Sequence, residues 1–398
     1  MTRVSVKKYC FCLLACLAIA AQSVTVPARA GTRAFDVAPH SHALIEWWYA
    51  NAHFTSAKGH RLAVVVSFFK TGNGSTPFTG SLAVPVGHYL IVGVTDLTAR
   101  SHKYYSYADH NMVRQLALIA PLIAMKSGND PTTLQLVKSV MAGQIPPPSR
   151  FIDGDATIAP APLSIHYGSA ASLDESPATH EMRLQFKTDG GGAYDLYFAA
   201  ERPIMAVGGS GETGFTNPTD MYYFSTTHCA VHGTVRIGGH LIDISSGLGW
   251  YDHQWGSSWG VENDGWDWLG IQLNDGRDIL AYRQRHLDTG GIGVTAATTM
   301  SPSGKLTVET KAQLTPIAGG AWTSPHTSIT YPLSWTLVLP GQNVRFIVTP
   351  DVKDQEVRVL AGGRAIWEGA CTVTGKGIRG VAFLELVGYS KHENMSTK

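Results

Sequence analysis

The segments Trp268-Leu269-Gly270-Ile271-Gln272-Leu273 and Asp278-Ile279-Leu280-Ala281-Tyr282-Arg283-Gln284-Arg285 flank Asn274-Asp275-Gly276. Two apolar runs of strand length joined by Asn-Asp-Gly read as a β-hairpin, because glycine accepts the positive φ that such a tight turn demands. Working outward, the same style recurs along most of the chain. Arg61–Phe69, His88–Val94, Met182–Phe186, Tyr194–Ala199 and Thr234–Ile244 are short apolar runs bounded by Gly, Pro, Asn or Asp. So are Leu333–Leu339, Val344–Val348, Val357–Leu360 and Val381–Leu386. Each reads as a strand, and the composition is that of sheets closed into barrels or sandwiches. The fold class expected is all-β.

One stretch breaks the pattern. From Met112 to Met141, Leu116, Ile119, Leu122 and Ile123 fall near helical spacing, as do Leu134, Val137, Lys138 and Met141. Pro121 and Pro131 are expected to split this segment into short helices, and Pro146-Pro147-Pro148 ends it. The segment reads either as a cover on the first barrel or as a lid over a pocket mouth.

The chain of 398 residues suits two all-β domains; 44% of it is hydrophobic, 15% is charged, and the formal net charge is +1. That balance supplies no field for nucleic acid or for an anionic membrane. Ten Trp, fifteen Tyr and thirteen Phe provide both core and pocket lining. Residues 1–30 read as an export signal: Arg3, Lys7 and Lys8 precede an apolar run from Tyr9 to Ala21, and Ala28-Arg29-Ala30 offers a cleavage site. The run is shorter than the roughly 20 residues a spanning helix needs. Leu13-Leu14-Ala15-Cys16 resembles a lipobox, so a lipoprotein is the alternative, and no transmembrane segment is expected in the mature chain. Cleavage leaves Cys229 and Cys371, either bridged or separately buried.

Several tempting motifs fail on their chemistry. Gly209-Ser210-Gly211-Glu212-Thr213-Gly214 has dinucleotide-fingerprint spacing, but Phe215-Thr216-Asn217-Pro218 follows where a helix N-terminus must hold the pyrophosphate. Nor is it a nucleophile elbow, so a hydrolase finds no support. His228 and His232 on one strand stand about 13 Å apart and Cys229 faces away, so they cannot close on one ion. His40 and His42 have no evident third ligand. No metal, nucleotide or other cofactor is expected.

Two aromatic and acidic clusters remain. One is Glu46-Trp47-Trp48-Tyr49, followed by His53. The other is Gly249-Trp250-Tyr251-Asp252-His253-Gln254-Trp255-Gly256, followed by Trp266-Asp267-Trp268-Leu269-Gly270. With Asn274–Arg285, Tyr331-Pro332-Leu333-Ser334-Trp335, Trp367-Glu368-Gly369-Ala370-Cys371 and Leu384-Glu385-Leu386-Val387-Gly388-Tyr389, this series resembles the carotenoid 1,2-hydratase/AttH-like family from about His42 to Tyr389. The resemblance implies two lipocalin-like domains, an N-terminal one over 31–257 carrying the helical insert and a C-terminal one over 258–398. It also implies a diverse set of activities: some members hydrate isoprenoid alkenes, relatives hydrate or cyclise other natural products, and many exported members have no assigned reaction.

Hydration of an unactivated alkene starts with proton transfer to carbon. It therefore needs an acid kept protonated by apolar surroundings, and aromatic faces that favour a cation. Asp252 and His253 are the leading pair, Glu46 is a second candidate acid, and Tyr282 matches the tyrosine of a Tyr-x-Asp pair that carotenoid hydratases carry. Gln284 stands where that pair has its carboxylate, and an amide cannot donate a proton as an acid does. On a strand Asp252 shares a face with Trp250, and His253 with Trp255, so both face inward only if the chain bends. Trp47, Trp48, Trp250, Trp255, Trp266 and Trp268 are the expected substrate-binding walls. The function expected is an exported lyase or cyclase acting on an apolar, isoprenoid-like small molecule. The alternative is a lipocalin-type carrier or sensor of a hydrophobic ligand, with no catalysis.

Overall fold

The computed structural model describes residues 37–74, 77–79, 82–83, 85–126, 131–213, 220–257, 264–287, 289–358 and 365–389. The expected export signal, with Cys10, Cys12 and Cys16, lies outside the described residues.

The hairpin read from Asn274-Asp275-Gly276 is present. Asp264–Leu273 pairs antiparallel with Asp278–His286 in a register that sets Trp268 opposite Tyr282. Gly276 sits at φ 84°, which closes the turn at little cost. Strands of this kind build one sheet of thirteen strands and another of ten. Ile45–Ser56 lies in the middle of the larger sheet, between Arg61–Thr71 and His240–Gly256, and Met221–Ile237 lies beyond the latter. Asp264–Leu273 lies in the middle of the smaller sheet, beside Asp278–His286 and Ile378–Val387, with Ala365–Gly375 next in order.

Thr234–Ile244, expected as one strand, is instead the tip of a long hairpin. Ile237 pairs with His240 across Gly238 and Gly239, whose φ values of 57° and 82° make the tight turn. The helices form as His110–Lys126 and Pro131–Met141. Pro131 opens the second, where its missing N–H costs nothing. Pro121 does not split the first; it lies within it. Asp109 caps that helix, accepting the Met112 N–H at 2.7 Å, and also meets His88 Nδ1 at 2.8 Å. Cys229 and Cys371 are buried and unbridged. Among the described residues no helix is long and apolar enough to cross a membrane.

Burial explains the architecture. Nearly every residue of Ile45–Ser56 is buried, as a strand covered on both faces must be. Its even-numbered residues Trp48, Ala50, Ala52 and Phe54 pack into the curl of their own sheet, with Val64, Leu90, Leu184 and Phe198. Its odd-numbered residues Ile45, Trp47 and Tyr49 pack outward against Trp266, Trp268, Tyr282, Ile366 and Phe383 of the smaller sheet. The smaller sheet fills its own curl with Leu269, Ile271, Trp335, Leu337 and Trp367. There are thus three apolar layers, and the middle one joins the two sheets. The helices cover the flank of that middle layer, contributing Met112, Val113, Leu116, Ile119, Leu136 and Val140 to it.

Polar ties lock the two sheets together around this layer. Asp278 accepts hydrogen bonds from Arg202 at 2.9 Å and from Thr227 at 3.0 Å, and lies 3.0 Å from His228 Nδ1. Gln272 Nε2 donates to the carbonyls of Thr227 and Gly249 at 2.7 and 2.8 Å, and Thr95 donates to Gln355 at 2.8 Å. His232 turns instead to Glu181, at 3.3 Å, and Cys229 is buried inside the larger sheet. The His228, Cys229 and His232 side chains therefore serve three different places.

Candidate active site between the two sheets

The strand alternation that separates the apolar layers also divides the Asp-His pair. Asp252 faces the smaller sheet with Trp250, whereas His253 faces the other way, stacked on Trp48 at 5.1 Å between ring centroids. No bend brings them together, because His240–Gly256 stays in regular register with Ile45–Ser56 from Ala52 to Ile45.

His253 belongs to a staple around Glu46. His253 Nε2 lies 3.0 Å from Glu46 Oε1, His40 Nδ1 lies 2.9 Å from the same oxygen, and the His40 backbone N–H donates to both carboxylate oxygens at 3.0 and 2.9 Å. Lys70 Nζ sits 3.3 Å from Oε2 and donates to the carbonyls of His40 and Ala43 at 2.9 and 3.1 Å. Burial alone opposes charge on Glu46, but the hydrogen bonds from His253 and His40 and the charges of His253 and Lys70 outweigh it, holding its pKa at about 2. Glu46 is therefore an ion at neutral pH and no proton donor. Trp255 stacks on His40 at 4.0 Å and closes the staple from outside.

His40, Glu46 and His253 do present three ligand atoms within 4.8 Å of one another, a set that the sequence did not reveal around His40. The donors already aimed at both Glu46 oxygens, one of them an ammonium, leave that carboxylate no lone pair directed at an ion. The arrangement fits a buried ion pair better than a metal centre.

Asp252 has the opposite character. It is 2% exposed and sits among Trp250, Tyr223 and Trp268. The Trp250 indole donates to Oδ1 at 2.6 Å, and the Tyr223 hydroxyl donates to Oδ2 at 2.9 Å. Burial raises its pKa to about 7, with contacts from Ser225, Trp250 and Tyr223 offsetting only part of the penalty. An indole N–H can only donate, so Oδ1 is held as an acceptor, whereas a phenol can donate or accept. A proton on Asp252 therefore belongs on Oδ2, at the Tyr223 edge.

The smaller sheet places Tyr282, Trp266, Trp268, Glu368 and Glu385 across the layer. Trp268 packs edge-on between Tyr49 and Trp250, with ring centroids 5.7 and 6.0 Å away. Tyr49 donates to Glu368 Oε1 at 2.8 Å and accepts from Asn51 Nδ2 at 3.2 Å, so a chain of donors crosses from one sheet to the other. Burial pushes the Tyr282 hydroxyl well above its usual range, so it stays protonated. Gln284 lies on the strand face of Tyr282 but turns toward the neighbouring strand, where the Val294 N–H reaches its Oε1 at 3.5 Å.

Of the sequence-derived candidates, Asp252, Tyr282, Trp47, Trp250, Trp266 and Trp268 thus share the middle layer. Glu46, His253, Trp48 and Trp255 lie outside it. Tyr49, Asn51, Tyr223, Glu368 and Glu385 were not singled out as site residues. Tyr49 and both glutamates do stand inside recognised motifs, but no local pattern tells that residues 49 and 368 meet.

Residues 149–389 match the AttH-like family model. Over 172 residues the chain is 25% identical to the dehydratase asqC of Emericella nidulans; the match covers 41% of this chain and 47% of that one, so the chain spans about half the length of that curated relative. An AttH-type protein from Nitrosomonas europaea has a similar structure, with TM-score 0.68 and 22% identity over 92% of this chain and 98% of the other. Kievitone hydratase from Nectria haematococca aligns with TM-score 0.58 and 16% identity, over 86% of this chain and 89% of the other. CghA in complex with Sch210972 aligns with TM-score 0.50 and 11% identity, over 92% and 96%. At these identities the structural matches establish a shared fold.

Proposed function

Because this chain belongs to the AttH-like family, and because its two sheets enclose Asp252 among aromatic rings, we propose that it is a lyase-type enzyme. It adds or removes water, or closes a ring, on a largely apolar small molecule held between the sheets. The observation that carries this reading is Asp252 itself, a carboxyl raised to about 7 that stands 2.9 Å from a phenol able to hydrogen-bond to either of its protonation states. An acid with a pKa near the working pH is best placed for proton transfer. The relatedness to a dehydratase and the fold shared with a hydratase support the reaction class.

In the hydration direction, the Asp252 O–H bond breaks and its proton joins an alkene carbon. The electron-rich faces of Trp250 and Trp268 favour the cation that results. Water then forms the C–O bond and returns a proton to the carboxylate. Dehydration is the reverse. Gln284 in place of a carboxylate beside Tyr282 argues for a substrate other than a carotenoid. Export through the signal at residues 1–30 accompanies this reading as a proposal, to be checked by the N-terminal mass of the mature protein.

The test is to incubate the protein with acyclic isoprenoid alkenes and with hydroxy ketones in heavy-oxygen water. Wild-type protein is expected to insert the label or eliminate water, and Asp252→Asn to slow this by about two to four decades. Both proteins should bind an apolar fluorescent probe equally. If wild-type protein binds panel members but converts none, the carrier reading replaces this one.

A further inference from the structure

We infer that Glu368 and Glu385 hold one proton between them and form a second proton-transfer pole of the interdomain site, facing Asp252. The inference rests on the lyase reading above and supplies the base that such a reaction needs beside its acid.

The geometry is set by the smaller sheet. Ala365–Gly375 and Ile378–Val387 are antiparallel neighbours whose register places Glu368 directly opposite Glu385. Side chains so paired have Cβ atoms only about 4.5–5.5 Å apart. On its other side Glu385 is paired with Trp268, in the strand that carries the aromatic wall. Glu368 is 3% exposed, and Tyr49 of the larger sheet donates to it at 2.8 Å. Glu385, between Glu368 and Trp268 in mid-sheet, is half-buried.

Two carboxyl groups side by side in a largely apolar layer resist ionising together, because like charges repel and no cation of the layer compensates the second charge. Burial first, then the charge of Glu385, drives the pKa of Glu368 well up, and the Tyr49 hydrogen bond recovers only part. Glu385 is raised to about 8, by burial foremost and by Asp252, against a hydrogen bond from Trp266. Tyr49 and His53 of Ile45–Ser56, Tyr89, Tyr104, Tyr223 and Asp252 of the other strands of the larger sheet, and Tyr282 of Asp278–His286 are titratable groups of this layer, and none is a cation at neutral pH. Lys70 is committed to Glu46 on the far face of the larger sheet, and Arg283 and Arg285 lie 2.7 and 3.4 Å from Asp267.

Above about pH 8, where Glu385 has given up its proton while Glu368 keeps its own, one carboxyl of the pair is ionised and able to accept. In a dehydration it, rather than the Asp252 carboxylate, takes the proton from carbon, the C–H electron pair becomes the new double bond, and the C–O bond breaks toward oxygen. Asp252 gives its proton to the departing hydroxyl, which leaves as water. Transfer of one proton from the doubly protonated pair back to Asp252, directly or by way of solvent, restores the starting state. Hydration runs the same steps backward.

The experiment labels glutamate Cδ with carbon-13 and follows the carboxyl shifts of the intact protein with pH, alongside turnover on the panel above. Two glutamate resonances should titrate above about pH 6, beyond the ordinary carboxylate range. Their pattern should be lost in Glu368→Gln and in Glu385→Gln. Each variant should lower kcat by about two to four decades and move the acid limb of the pH–rate profile downward, since the remaining carboxyl no longer has a like-charged neighbour. Asp252→Asn should lose turnover and lower the glutamate midpoints only in part, because burial foremost keeps them above the ordinary range. If either Gln variant fails to fold, Tyr49→Phe keeps both carboxyls and should raise the midpoint of Glu368. Glutamates that all titrate in the ordinary range overturn the inference, as do variants with unchanged turnover and profile. A panel on which wild-type protein converts nothing sinks the lyase reading instead, and the carbon shifts then still decide whether the pair holds a proton.

Discussion

The Trp250 indole donates a 2.6 Å hydrogen bond to Asp252 Oδ1, from two residues away on the same face of one strand. This contact stabilises the ionised carboxylate and so works against the burial that raises its pKa. Trp250→Phe removes the donor while keeping a ring in place. A hydrogen bond to a charged group contributes roughly 1.5–3 kcal/mol, which corresponds to about one or two pH units. The Asp252 midpoint is therefore expected to rise from about 7 by that amount, read from the carboxyl shift of carbon-13-labelled aspartate. A midpoint that stays put would show that the indole bond does not govern this acid.

The acid itself should burden the fold above its unfolded pKa. With a folded value near 7 against 3.8 when free, Asp252 binds a proton in the native state that the unfolded chain has released. Its contribution is fully present below about pH 4 and is lost as pH rises through 7. Asp252→Asn carries no such cost. The stability difference should move in favour of the variant across that window, by up to roughly 4 kcal/mol. Urea melts at about pH 4 and pH 8.5 check this; a constant difference would mean that Asp252 is not buried as an acid.

Glu46 should behave in the opposite sense. Its folded pKa of about 2 lies below the free value of 4.5, so its stabilisation is present above pH 4.5 and is lost as pH falls toward 2. Glu46→Gln leaves Lys70 buried without its counter-ion, and breaking a buried pair in this way costs about 3–5 kcal/mol. The expected outcome is a lower thermal midpoint at neutral pH, with turnover per folded molecule retained. Lost turnover in a fully folded variant would return Glu46 to the list of acids.

These contrasts show which parts of the molecule the sequence made legible. Strand alternation alone separates Asp252 and Trp250 from His253 and Trp255, and Asn274-Asp275-Gly276 announces its hairpin. Gly238-Gly239 carries an equally good turn signal, and reading through it merged two strands into one. Pro121 was overread as a break, because its neighbours bury Leu116, Ile119 and Ala120 whether or not one helical bond is missing. The meeting of Tyr49 with Glu368, or of Glu46 with His40 and His253, depends on register and sheet packing. Single-strand periodicity is blind to both. Burial on both faces of Ile45–Ser56 could have been suspected from Trp47 and Trp48 in succession, and that would have split the two acids between layers.

His53 faces the smaller sheet from the same strand as Tyr49, packed edge-on against Phe383 with ring centroids 4.9 Å apart. Neither ring nitrogen has a hydrogen-bond partner among the described residues. Burial foremost, with a smaller repulsion from Arg61, lowers its pKa from 6.5 to about 3. It is neutral in the folded state at neutral pH, and its contribution to stability, present above 6.5, is lost as pH falls toward 3. His53→Phe removes that loss and gives up no protein hydrogen bond, so at pH 5 the variant should match or exceed wild-type stability. The same change removes two polar atoms from the layer proposed to hold the substrate. A ligand with a hydroxyl or carbonyl at that end should bind His53→Phe more weakly, by roughly the 0.5–1.5 kcal/mol of one hydrogen bond, whereas a pure hydrocarbon should not distinguish the two proteins. Calorimetric titration with a matched hydrocarbon and alcohol makes the comparison. Equal loss for both ligands would mean that His53 shapes the layer without contacting what it binds.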